Sequence, residues 1–198
     1  MNENKYPRIK AERKTGSERI KGLPGATISE FWQWAYSNVM DNAERGVFAE
    51  WLVAKALNAA KTTRTEWDKY DILTPSGIRV EVKTSGYIQS WEQNKLSEII
   101  FSVPQTQGWD SVTNTYDSER KRQADIYVFC VHKHKEQETV DPLDLEQWAF
   151  YVIDTNTLNN EIGEQKSLSL KKLKDLGAEC AVYDSLNETV ARLYEKLS

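Results

Sequence analysis

Asp71-Ile72-Leu73-Thr74-Pro75-Ser76-Gly77-Ile78-Arg79-Val80-Glu81-Val82-Lys83 is the stretch whose reading decides the fold. Apolar and polar residues alternate on both sides of Pro75-Ser76-Gly77. Alternation bounded by a turn signal predicts a hairpin, with strands over Tyr70–Thr74 and Ile78–Thr84. In the second strand Ile78, Val80 and Val82 face one way, and Arg79, Glu81 and Lys83 the other. A three-residue loop sets Thr74 opposite Ile78, and counting outward sets Asp71 opposite Glu81. Opposed side chains in an antiparallel pair have Cβ atoms roughly 5 Å apart. Two carboxylates that close repel unless a cation lies between them, and a hard divalent ion such as Mg²⁺ favours such oxygen donors. Lys83 shares their face, where an ammonium stabilises developing phosphate charge. A two-residue Ser76-Gly77 loop would slip the register and undo the opposition.

Upstream, Val47, Phe48, Trp51, Leu52, Ala54, Ala56 and Leu57 recur at helical spacing, predicting a helix from Asp41 to about Ala59 capped by Asp41 or Asn42. A shorter helix capped by Ser29 runs through Phe31, Trp32, Trp34 and Ala35. Downstream, Ile99–Val103 and Trp148–Ile153 read as strands. Ala124–His132 reads as a strand buried on both faces. Helices are expected over Leu170–Leu176 and Ser185–Leu197. The stretch from Ser85 to Gln123 mixes aromatic and polar residues without a readable period.

The acidic-basic pattern resembles the D…(D/E)-x-K signature of the PD-(D/E)XK superfamily, with Asp71 followed by Glu81-Val82-Lys83. Gly46-Val47-Phe48-Ala49-Glu50 is similar to the G-x-x-x-E helix start of its resolvase-like members. The resemblance covers residues 41–84 well and 124–132 loosely. Tyr70 stands where the superfamily name implies proline. The resemblance implies an α/β fold of the restriction-endonuclease-like kind, a mixed central sheet flanked by helices with an α-β-β-β-α-β core. It implies a Mg²⁺- or Mn²⁺-dependent nuclease acting on DNA. Asp71, Glu81, the backbone carbonyl of Val82 and Glu50 would hold the metal, and Lys83 would polarise the scissile phosphate or the attacking water. Glu44 competes with Glu50 for the helical role, and Gln89 is a further candidate. A homodimer is implied by resemblance alone. The rival reading is a catalytically silent DNA-binding or assembly module of the same fold, and cleavage of RNA or of a nucleotide derivative is a third.

Composition bounds the rest. The 198 residues suffice for one domain with its own core, with 39% hydrophobic and 28% charged residues. The expected division is a basic N-terminal arm over residues 1–25 and a nuclease-like domain over 26–198. No apolar run is long enough for a membrane span, no signal peptide is readable, and a cytoplasmic protein is expected. The net charge of −4 does not mark a nucleic-acid binder. The distribution is more telling. Residues 1–22 carry Lys5, Arg8, Lys10, Arg13, Lys14, Arg19 and Lys21 against Glu3, Glu12 and Glu18. Arg120, Lys121 and Arg122 form a second cluster and Lys166, Lys171, Lys172 and Lys174 a third, each able to contact phosphates. Cys130 and Cys180 lie in apolar runs and read as buried free thiols. His132 and His134 read as a solvated strand end, and most of the seven tryptophans as core anchors.

Overall fold

The computed structural model describes residues 6, 9, 11–64, 69–110 and 115–197. Two helices come first, α1 (Ile28–Tyr36) and α2 (Asn42–Ala56). Thr27, not Ser29, precedes α1, and its N–H donates to the Glu30 carboxylate at 2.7 Å. Asp41 caps α2 by accepting from Asn42 N–H at 2.7 Å. The hairpin follows as β1 (Ile72–Leu73) and β2 (Arg79–Gly86). The stretch without a readable period holds β3 (Ile100–Ser102) and a ribbon of β4 (Thr106–Asp110) and β5 (Thr115–Lys121). Then come β6 (Ile126–His132), β7 (Trp148–Asp154) and α3 (Thr155–Ile162). The chain closes with β8 (Ser167–Ser169), α4 (Leu170–Asp175), β9 (Glu179–Ala181) and α5 (Leu186–Glu195).

The main sheet is mixed, in the order β1-β2-β6-β7-β9, and helices flank it. β2 runs parallel to β6, and the other neighbours are antiparallel. Four of its strands precede α3, one more than an α-β-β-β-α-β order provides. β6 lies at the centre because every residue from Ile126 to His132 can be buried, so neither face needs solvent. On one face Val80, Val82, Ile126, Val128 and Cys130 pack under α2 and α5. On the other, Tyr127, Phe129, Val131 and Tyr151 pack under α3, α4 and the β3–β8 pair.

Several residues depart from their expected places. His132 is fully buried against Trp148, with ring centroids 5.0 Å apart, because it shares the face of Val128 and Cys130. Cys180 is exposed, whereas Cys130 is buried. Among the described tryptophans Trp148 is buried, while Trp34, Trp51 and Trp91 are exposed. Trp67 lies outside the described residues. Part of the basic arm is docked: Arg13 Nη1 donates to the carbonyls of Ala60 and Lys61 at 3.2 and 3.4 Å.

Candidate active site

The ladder pairs Ile72 with Val80 and Leu73 with Arg79, the register that a three-residue loop dictates. Gly77 makes that loop feasible by adopting a positive φ of 86°. One step further along, Asp71 falls opposite Glu81. Here β1 ends, and the Asp71 side chain replaces its backbone: Oδ2 accepts from Val82 N–H at 2.7 Å. The N–H and C=O of one residue leave a strand on the same side. The carbonyl of Val82 therefore also points toward the Asp71 edge.

Glu81 and Lys83 are half-buried on the β2 face that continues into Tyr127 and Phe129 of β6. Lys83 Nζ donates to Glu81 Oε1 at 2.6 Å. α2 crosses β2 with Gly46 beside Thr84, and one turn later it carries Glu50 toward Asp71. Glu44 is six residues from Glu50, so the two lie on different faces of α2. Asp71 feels the charge of Glu50.

The electrostatics converge on Asp71. Burial first, then repulsion from Glu81, push its carboxyl up to about 7, against the opposing pull of the Val82 N–H. Burial works against the Lys83 ammonium, but Glu81, Asp71 and Glu50 together raise its pKa above the ordinary lysine value. Glu50 bonds the Arg64 guanidinium through both oxygens: Nη2 lies at 2.9 Å from Oε1, and Nε reaches Oε2. Glu50, Asp71 and Arg64 line one cleft of about 760 Å³, with Arg13 and Lys14 on its rim.

Each carboxylate thus has its own partner: Arg64 for Glu50, the Val82 N–H for Asp71 and Lys83 for Glu81. Among the described residues, no three His, Cys, Asp or Glu side chains are grouped closely enough to hold a metal ion. Asp71 and Glu81 nonetheless offer a pair of hard oxygen donors. Two facing carboxylates, one of them resisting ionisation, gain from a positive charge placed between them.

Other expected site residues are committed elsewhere. Gln89 accepts from Arg45 Nη2 at 3.0 Å and donates to the carbonyl of Gly86 at 2.8 Å, so it serves the far end of β2. Arg122 is buried, not exposed to phosphate. It donates to Asn159 Oδ1 at 2.8 Å and to the carbonyls of Gly163 and Gln165 at 2.9 and 3.3 Å, tying β5 to the end of α3. Arg120 and Lys121 are exposed, and Arg120 also donates to the carbonyl of Gln105.

Sequence reading missed Arg45 altogether. It is 2% exposed at the start of α2 and donates to the carbonyl of Ile88 at 3.2 Å, as well as to Asn42 and Gln89. Its signal was available: positions 45, 49, 52 and 53 form one helical face, and Ala49, Leu52 and Val53 are all core residues.

Of the acidic residues Glu50, Asp71 and Glu81, the first two line the cleft, together with the basic side chains of Arg13, Lys14 and Arg64, while Glu81 and Lys83 lie beside it on β2. Residues 25–172 match the family of bacteriophage T4 endonuclease IV, and the chain belongs to that family. Membership makes it a nuclease in general terms, with DNA as the substrate the family suggests. A comparison with curated proteins gave no match.

Proposed function

We propose that this protein is a Mg²⁺- or Mn²⁺-dependent DNA nuclease whose site is Asp71, Glu81 and Lys83 with Glu50, on a core of the restriction-endonuclease-like kind. The observation that carries the reading is the Asp71 carboxylate, half-buried beside Glu81 with its ionisation opposed, in a member of an endonuclease family. A divalent cation would supply Lewis-acid stabilisation of the charge that builds on the phosphorus. Asp71, Glu81 and the Val82 carbonyl would hold it from β1 and β2, and Glu50 would complete the set from α2. Lys83 places its ammonium on the Glu81 face, where it offsets negative charge on the phosphate oxygens. Arg120 and Lys121 would meet the DNA backbone.

The test is cleavage of supercoiled plasmid and of labelled single-stranded, duplex and branched DNA with Mg²⁺, Mn²⁺ or EDTA. Lys83→Ala should lower metal-dependent cleavage by about 10²–10³-fold while the protein stays folded. DNA binding without cleavage by the parent under every condition would favour the silent module instead.

A further inference from the structure

We infer that Arg64 guards the acidic site, holding Glu50 in the metal-free protein and turning to a phosphate of the nucleic acid once a divalent cation claims Glu50. The inference rests on the metal reading above. Arg64 lies 14 positions beyond Glu50, in the connection from α2 to β1, and reaches back to the helix. Its fork engages both oxygens of Glu50, leaving neither oxygen without a donor. The same planar fork suits a phosphate as well as it suits a carboxylate.

The Arg64 side chain is 40% exposed and that of Glu50 17%, so the guanidinium covers the carboxylate from the solvent side. Arg64 is the more exposed partner, so it is the one placed to turn toward a ligand while Glu50 stays under cover. A divalent cation at Glu50 would take the place of the guanidinium as that carboxylate's counter-charge. Once displaced, Arg64 still borders the cleft that holds Asp71 and Glu50. Charge balance points the same way. Without metal, the carboxyl groups of Glu50, Asp71 and Glu81 outnumber Lys83 and Arg64 beside them. With a divalent cation the balance reverses, and Arg64 becomes one of the positive groups facing the substrate. Arg64 is thus a positioning residue in one state and a phosphate ligand in the other.

The experiment compares the parent with Arg64→Ala and Arg64→Lys in two readouts: Mn²⁺ affinity by titration calorimetry, and kcat and KM for DNA at saturating Mn²⁺. Arg64→Ala should bind Mn²⁺ about two- to fivefold more tightly, because a competitor for Glu50 has gone. Its kcat/KM should nevertheless fall by at least about tenfold, and Arg64→Lys should recover part of that loss. A merely structural role would move both readouts downward together. Unchanged or weaker Mn²⁺ binding by a folded Arg64→Ala overturns the inference, as does tighter binding with undiminished cleavage. A parent that takes up no Mn²⁺ sinks the metal reading itself, and this inference with it.

Discussion

The two ends of β2 both place ionisable groups under cover, and they do so in opposite ways. At the Asp71–Glu81 end, carboxylates press on one another and each has its own polar partner, namely Arg64, Lys83 or a single N–H. At the Gly86 end, Arg45 and His132 are sunk in the core beside the backbone, and Arg45 Nε, Thr84 Oγ1 and His132 Nδ1 have no hydrogen-bond partner among the described residues. The first end opens into a cleft, and the second is closed by the loop that Arg45 pins through Ile88 and Gln89. The difference teaches where to look for chemistry. Mutual repulsion relieved by polar partners suits a reacting site, whereas a buried cation bonded to carbonyls suits a structural clamp.

The sharpest way to break this comparison is through pH. Asp71 has a folded pKa of about 7, well above the ordinary aspartate value. Its contribution to stability is therefore fully present below the unfolded value near 4 and is lost as pH rises through about 7. In EDTA, the parent should lose roughly 2–3 kcal/mol between pH 5 and 8 relative to Asp71→Asn, measured by urea unfolding. His132 carries the opposite sign. Burial lowers its pKa, so its contribution is lost as pH falls below the ordinary imidazole range. Identical pH profiles for the parent and Asp71→Asn would remove the distinction between the two ends.

A comparable effect is expected at the closed end. Arg45→Ala should cost about 2–4 kcal/mol in urea unfolding, because buried carbonyl and amide acceptors lose their donor. Cleavage by the fraction that remains folded should stay within about twofold of the parent. If Arg45→Ala instead abolished cleavage without destabilising the protein, the clamp would belong to the reacting site.

The smallest effects separate neighbours within one basic run. Arg122→Ala should cost about 1–3 kcal/mol of stability and leave the salt dependence of DNA binding unchanged. Arg120→Ala with Lys121→Ala should cost no more than about 0.5 kcal/mol and reduce the slope of log affinity against log salt by about 2. The reverse pattern would place Arg122 on the DNA.

The hairpin was legible because its signals are local. A turn of Pro75-Ser76-Gly77 and strict alternation set the register by counting, and β6 announced itself as an uninterrupted apolar run. The opposition of Asp71 and Glu81 follows from that register, but the engagement of Asp71 with Val82 N–H does not, because it depends on β1 beginning only at Ile72. The β3–β8 pair joins Phe101 to Leu168 across more than sixty positions, and no local period encodes such a partner. Arg122 and His132 were misread through their neighbours. Each sits beside charged residues in the chain, while strand alternation or a turn carries it inward. Arg64 has no sequence signature at all, since its role depends on a loop folding back onto α2.

β2 is anchored through parallel pairing with a strand 46 positions later, from Val80–Ile126 through Gly86–His132. A parallel partner so distant closes a large loop before it returns any contact, which makes it a late event in folding. During synthesis the stretch from Glu50 to Lys83 leaves the ribosome ahead of β6, the strand that holds β2 in place. The growing chain therefore carries Glu50, Asp71, Glu81 and Lys83 before it has the strand that holds β2 in the sheet, and their arrangement is completed only with the second half of the polypeptide.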